Sequence, residues 1–204
     1  MKLRNSGRKN RYTLFLELLK QLQERPMRFI TTLLALSFLG ATAAQAEMNL
    51  TSSDLAAGKP MADAQVFNGF GCSGKNISPQ LKWSGAPSGT KSFAIMAYDP
   101  DAPTGSGWWH WTVFNLPTDA TEIATGASGK LPAGAIEGRT DFGSSGYGGA
   151  CPPEGHGPHR YQFTVYALSV DKLPLDKDAP AAMVGFFARA NALDQATIEV
   201  TYER

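Results

Sequence analysis

The chain reads as a mainly β protein, a two-sheet antiparallel β-sandwich with one or two peripheral helices, and three features carry that expectation. Short runs rich in β-branched and aromatic residues recur along the chain, several alternating apolar with polar side chains as half-buried antiparallel strands do. The 21 glycines and 13 prolines fall largely between these runs, which predicts tight turns as the connections. Only one stretch carries clear helix signals.

In chain order, strands are expected at 48–52, 80–83, 93–98, 110–114, 134–139, 161–168 and 198–202. The helix begins near Asp178, which can cap, with Pro180 suited to the first turn. Met183, Val184 and Phe187 form its apolar stripe, and it closes near Asn191.

Residues 1–46 read as a leader. Met27-Arg28, the apolar run 29–39 and Ala44-Gln45-Ala46 have the charged region, hydrophobic region and A-x-A site of a secretory signal peptide, with Met27 as the expected start and cleavage after Ala46. The apolar run falls short of the roughly 18 to 20 residues that span a bilayer, so the chain is not expected to span a membrane. Residues 1–26 carry leucines at helical spacing; translation from Met27 is the simpler account.

The remaining residues, 47–204, are one domain's worth and enough to bury a core. Eight of the 19 basic and two of the 18 acidic residues lie in the leader, leaving 11 against 16. A mildly acidic domain without a basic cluster argues against nucleic acid or an anionic membrane held by bulk charge. Any anion must be held by local geometry.

One stretch offers that geometry: Asp99-Pro100-Asp101-Ala102-Pro103, then Trp108-Trp109-His110-Trp111, a Pro-stiffened loop between two expected core strands. Proline restricts itself and its preceding residue, so side chains on such a loop can be aimed. Three tryptophans are expected to wall His110. The other two histidines lie in Glu154-Gly155-His156-Gly157-Pro158-His159-Arg160-Tyr161. His110 and His159 are the candidate ligands of a small anion, with His156 exposed between glycines. Asp99 accepts a proton-bearing group or fixes a histidine tautomer, while Asp101 accepts backbone N–H groups within its own turn.

Cys72 and Cys151 are the only cysteines, and in an exported chain an isolated pair is most simply a disulfide. A metal thiolate site or a catalytic thiol competes, without a CxxC or a close Cys/His set to support it. Asp141-Phe142-Gly143 spells a kinase tripeptide with none of its companion motifs. The glycines of 143–149 read as a flexible pocket rim rather than a phosphate loop, since no Gly-Lys-Ser/Thr follows. No G-x-S-x-G elbow is present, so hydrolysis is the weaker reading.

Asn76-Ile77-Ser78-Pro79, the Asp-Pro-Asp-Ala-Pro loop with Trp108-Trp109-His110-Trp111, Gly148 to Pro153, and His159-Arg160-Tyr161 together resemble the phosphatidylethanolamine-binding protein family, also called Raf kinase inhibitor-like proteins. The likeness runs over 48–204 and is nearest the bacterial branch. It implies Greek-key connections and an anion pocket at one end of the sandwich, lined by Asp99, His110, His159 and Tyr161, with Trp108 and Pro152 beside them. The residue before the Pro-Pro pair would offer its backbone N–H; here it is Cys151, where eukaryotic members usually carry glycine. The leader implies a periplasmic or secreted location, and the resemblance a binding protein for a small anionic or phosphorylated ligand, not an enzyme, with no cofactor and no metal. A protein-interaction or protease-inhibitor module acting through the pocket rim is the alternative, and a homodimer stays open.

Overall fold

The computed structural model describes residues 47–204, and the expected signal peptide and its cleavage site lie outside the described residues. Its elements in order are β1 (Asn49–Thr51), β2 (Asn68–Gly69), β3 (Cys72–Ser73), β4 (Leu81–Ser84), β5 (Ser92–Asp99), β6 (Trp108–Pro117), β7 (Glu122–Ile123), β8 (Ile136–Glu137), β9 (His159–Leu168), α1 (Ala181–Asn191) and β10 (Ala192–Tyr202). A five-stranded sheet runs β10-β9-β5-β6-β8, a smaller one β1-β4-β7, and β2-β3 is a separate hairpin. Every pairing among these strands is antiparallel. The sandwich of the sequence reading is present.

Alternation along the strands divides the apolar side chains between two layers. Leu50, Leu81 and Trp83 of the small sheet pack with Ile95, Val113, Phe163 and Val200 of the large one to form the main core. On the outer face, Met96, Trp109 and Tyr166 meet Val184 and Ala188 of α1. The central strands β5, β6 and β9 are buried almost throughout because both faces are covered.

The helix differs from expectation at its start and along its stripe. Pro180 is the N-cap residue, with no side-chain cap, and its carbonyl accepts from the N–H groups of Met183 and Val184. Asp178 pairs instead with Lys177 at 3.0 Å. The buried face is Ala181, Val184, Gly185 and Ala188, leaving Met183 exposed. Small residues let the helix lie close on the sheet; of the expected stripe Val184 and Phe187 pack on the outer core, while Met183 turns outward.

One irregularity positions everything that follows. Across β5 and β6, Tyr98 pairs with Trp109 but Ala97 pairs with Trp111, which makes His110 the extra residue of a β-bulge. A bulge sets two residues against one and re-aims side chains. Trp109 therefore faces the helix layer and Trp111 the main core, although they are two apart.

Candidate functional site

The site lies where the end of β5 and the starts of β6 and β9 meet. Asp99 is the last residue of β5, and the bulge at the start of β6 delivers His110 to the inner side of the sheet beside it. His159 and Tyr161 are two apart at the start of β9, so the strand period puts both on that same side. The four are almost wholly buried. With them, Trp108, Phe142, Phe70, Cys151 and Pro152 enclose a cavity of about 220 Å³. Drug-sized ligand pockets run to about 300–1,000 Å³, so this one suits a headgroup-sized molecule.

Two of the polar side chains are already committed to each other. His159 Nδ1 donates to Asp99 Oδ2 at 2.7 Å, and the other carboxylate oxygen accepts from the backbone N–H of Asp101 at 2.8 Å. The remaining ring nitrogen of His159, Nε2, stands 2.7 Å from Nδ1 of His156. Asp99, the two histidines and the Asp101 N–H thus form one continuous chain of hydrogen bonds. Both nitrogens of His159, one of the two candidate anion ligands, are engaged within the protein. His156 is exposed as expected, yet it completes this chain, a role its glycine neighbours did not suggest.

The other two polar groups are uncommitted. His110 Nδ1 donates to the carbonyl of Gly148 at 2.7 Å. Its Nε2 and the Tyr161 hydroxyl are buried without hydrogen-bond partners. Burial holds the His110 imidazole below its usual pKa, partly offset by Gly148 and the nearby Asp99 carboxylate, so the ring is neutral at pH 7. Burial and the same carboxylate push the Tyr161 phenol above its usual value, so it keeps its proton.

Asp101 also differs from expectation. It receives the backbone N–H, Nε and Nη2 of Arg160, at 2.8, 2.9 and 2.8 Å, rather than groups in its own turn, and that turn is closed by Asp99. The Arg160 hydrogen bond brings the Asp101 pKa down to about 2. This clamp fastens the β5–β6 loop to the start of β9.

Of the three tryptophans expected around His110, only Trp108 lines the cavity. Trp109 lies outside under Arg189, and Trp111 is sealed in the core, its Nε1–H bonded to Glu137 Oε1. The missing walls are phenylalanines. Phe142 sets its ring edge-on to both Trp108 and His110, at 5.4 Å between centroids in each case. Phe70 lies nearly parallel to Phe142 at 5.8 Å. Gly148 has to be glycine, since a Cβ there would sit 2.3 Å from the Phe142 ring. Phe142 belongs to the tripeptide dismissed as a chance kinase match, and nothing local in the sequence marks it as a wall.

Cys72 and Cys151 are bridged. The bond ties the β2–β3 hairpin to the loop before Pro152, and the hairpin tip is Phe70-Gly71, both at positive φ as a two-residue type I′ turn requires. A phenylalanine at such a position is unusual. Packing on Phe67 and Phe142 holds it there, over the pocket mouth.

Residues 51–203 match the model of the family described as phosphatidylethanolamine-binding protein. The chain is 48% identical to YbcL of Escherichia coli K12 over 181 residues, covering 87% of this chain and 99% of YbcL. It is 49% identical to YbhB of the same strain over 158 residues, 76% of this chain and 99% of YbhB. The crystal structure of E. coli YbcL, described as a new member of the mammalian PEBP family, aligns with a TM-score of 0.76 at 52% identity, over 78% of this chain and 99% of that one. A two-sheet sandwich, a match over three quarters of the chain and two half-identical relatives matched over nearly their whole length make the chain a member of the phosphatidylethanolamine-binding protein family.

Proposed function

We propose that the protein is an extracytoplasmic binding protein, not an enzyme, that holds a small phosphate- or carboxylate-bearing group in the pocket between β5, β6 and β9. The observation that carries this reading is the pair of orphaned polar atoms, His110 Nε2 and Tyr161 OH, buried against one apolar-walled cavity. A buried polar group without a partner costs about 1–3 kcal/mol, and a ligand that completes it recovers that cost. The family's name adds a phosphate-bearing headgroup as the expected class.

A non-catalytic role fits the same geometry. Asp99, His159 and His156 are arranged like the acid-base half of a triad, but the group at the end is another imidazole, not a nucleophile. The aliphatic hydroxyl that lines the cavity, Thr104, bonds back to the carbonyl of Gly107. Location outside the cytoplasm is supported by the Cys72–Cys151 bridge, which persists in oxidising compartments. No helix among the described residues is long and apolar enough to cross a membrane.

A second reading rests on Phe70, 68% exposed at the pocket mouth. An aromatic presented on a turn is the kind of anchor a protein partner takes, which keeps modulation of a partner through the rim in view.

Titration of phosphoethanolamine, followed by NMR of the histidine rings, tests the binding reading. His110 should move on saturation and His156 far less. Unchanged His110 resonances with phosphoethanolamine, inorganic phosphate and acetate would exclude the pocket as an anion site.

A further inference from the structure

The two unpaired polar groups in the pocket are one donor and one acceptor, and this limits what can bind between them. The pocket's acceptors are His110 Nε2, whose partner nitrogen already donates to Gly148, and the Asp99 carboxylate. Of its buried side-chain groups without a partner, the donor is the Tyr161 hydroxyl. His159 contributes none, because one ring nitrogen is spent on Asp99 and the other on His156. Seated between these two unpaired groups, an anion that carries only acceptor oxygens would accept from the Tyr161 O–H but place an oxygen against the lone pair of a neutral imidazole.

One additional proton removes the conflict. It sits either on the ligand, as an O–H that donates to Nε2, or on the ring, as an N–H that donates to a ligand oxygen; the composition is the same. Resting on the anion-binding reading above, we propose that the pocket takes up one proton with each phosphate it binds, shared between His110 Nε2 and a phosphate oxygen, and so prefers phosphate monoesters to diesters. A monoester has a second ionisation near pH ~6 and brings a basic oxygen to the shared proton. A diester has no such oxygen, so the whole charge must rest on a buried ring, which is costly.

The surroundings of His110 fit this use. From the end of β5 the Asp99 carboxylate faces it, from the loop after β8 the Asp141 carboxylate, and from β9 the Tyr161 phenol. The Gly148 carbonyl holds its Nδ1–H whichever form the ring takes. Both carboxylates favour a protonated ring, but burial outweighs them. A bound phosphate adds negative charge at the one place that lacks a partner, which tips the balance.

Calorimetry with methyl phosphate and dimethyl phosphate tests this, run at pH 7 and pH 8 in two buffers of different ionisation heat. At pH 8 methyl phosphate should bind with uptake of close to one proton. Its affinity should fall about tenfold from pH 7 to pH 8, as linkage to one proton requires. Dimethyl phosphate should bind at least about tenfold more weakly, since the cost of a charged buried ring exceeds one factor of ten. In His110→Gln the amide supplies a permanent donor, and the pH dependence should flatten; circular dichroism checks that the variant folds, and the wild-type titrations decide the matter by themselves if it does not. Methyl phosphate binding without proton uptake, or equal affinity for the diester, overturns the proton inference while leaving the anion pocket standing. Failure of both phosphates to bind overturns both.

Discussion

Two histidines face one cavity from strands on either side of β5, and their circumstances are opposite. His159 is bonded at both nitrogens, to Asp99 behind it and His156 in front. His110 is bonded at one, to a backbone carbonyl, and its other nitrogen reaches the cavity unpaired. They are buried to nearly the same degree, so burial does not separate them. Partner count does. A satisfied buried polar chain rigidifies a fold, whereas an orphaned polar atom in a cavity is a place prepared for something else. The His159 side is the frame of the site and the His110 side is its working surface.

The contrast can be broken from the frame inward. Cutting the bridge with Cys72→Ser and Cys151→Ser removes the covalent tie between the Phe70 hairpin and the loop before Pro152 and should lower stability by about 4 kcal/mol, the chain-entropy value for a loop of this size. Urea denaturation measures it. The Asp99–His159 pair lies outside the bridged hairpin, so the His159 ring resonances of the folded double variant should stay in place while phosphate affinity falls.

Asp99→Ala removes the acceptor from a buried histidine and frees the N–H of Asp101. Leaving half of a buried pair costs about 3 kcal/mol, again read by denaturation. A loss below about 1 kcal/mol would show that the chain from Asp99 to His156 is not a frame at all.

His110→Ala should show the reverse balance. Phosphate affinity should drop by about 1.5 to 3 kcal/mol, the range for hydrogen bonds to charged groups, with a smaller change in stability than Asp99→Ala produces. Calorimetry and denaturation on the same preparations compare the two. If His110→Ala destabilises the fold as much as Asp99→Ala and leaves phosphate binding intact, the two histidines have exchanged roles.

The smallest effect belongs to the Asp101–Arg160 clamp. Its folded-state pKa of about 2 lies below the ordinary carboxylate value, so its contribution is present above pH ~4 and is lost as pH falls towards 2. Carboxyl NMR should give a midpoint near 2 in the native protein, and Arg160→Ala should return it to the usual range. Because the pair is partly exposed, little stability should change with it.

Much of this molecule is legible in its residues. Alternating β-rich runs separated by Gly and Pro predict the sandwich, and the long central strands fall within a few residues of where periodicity puts them. A pair of cysteines allows one bridge, and it is formed. Asp99, His110, His159 and Tyr161 stand out because two Pro-stiffened loops hold all the histidines, and the fold does bring the four to one cavity.

What the chain by itself determined is therefore which residues are strands, which are core and which polar side chains are candidates, since these depend on period, propensity and local stiffness. The tertiary structure alone decided how those candidates divide. A one-residue bulge at His110 reverses the parity of β6, so Trp109 and Trp111, two apart, go to opposite faces; period-two reasoning has no term for an inserted residue. The partners that make His159 a frame and His110 a surface lie 60 and 38 positions away in sequence. Hydrogen bonds between such distant groups are set by how sheets and loops stack, and no local pattern along the chain records them.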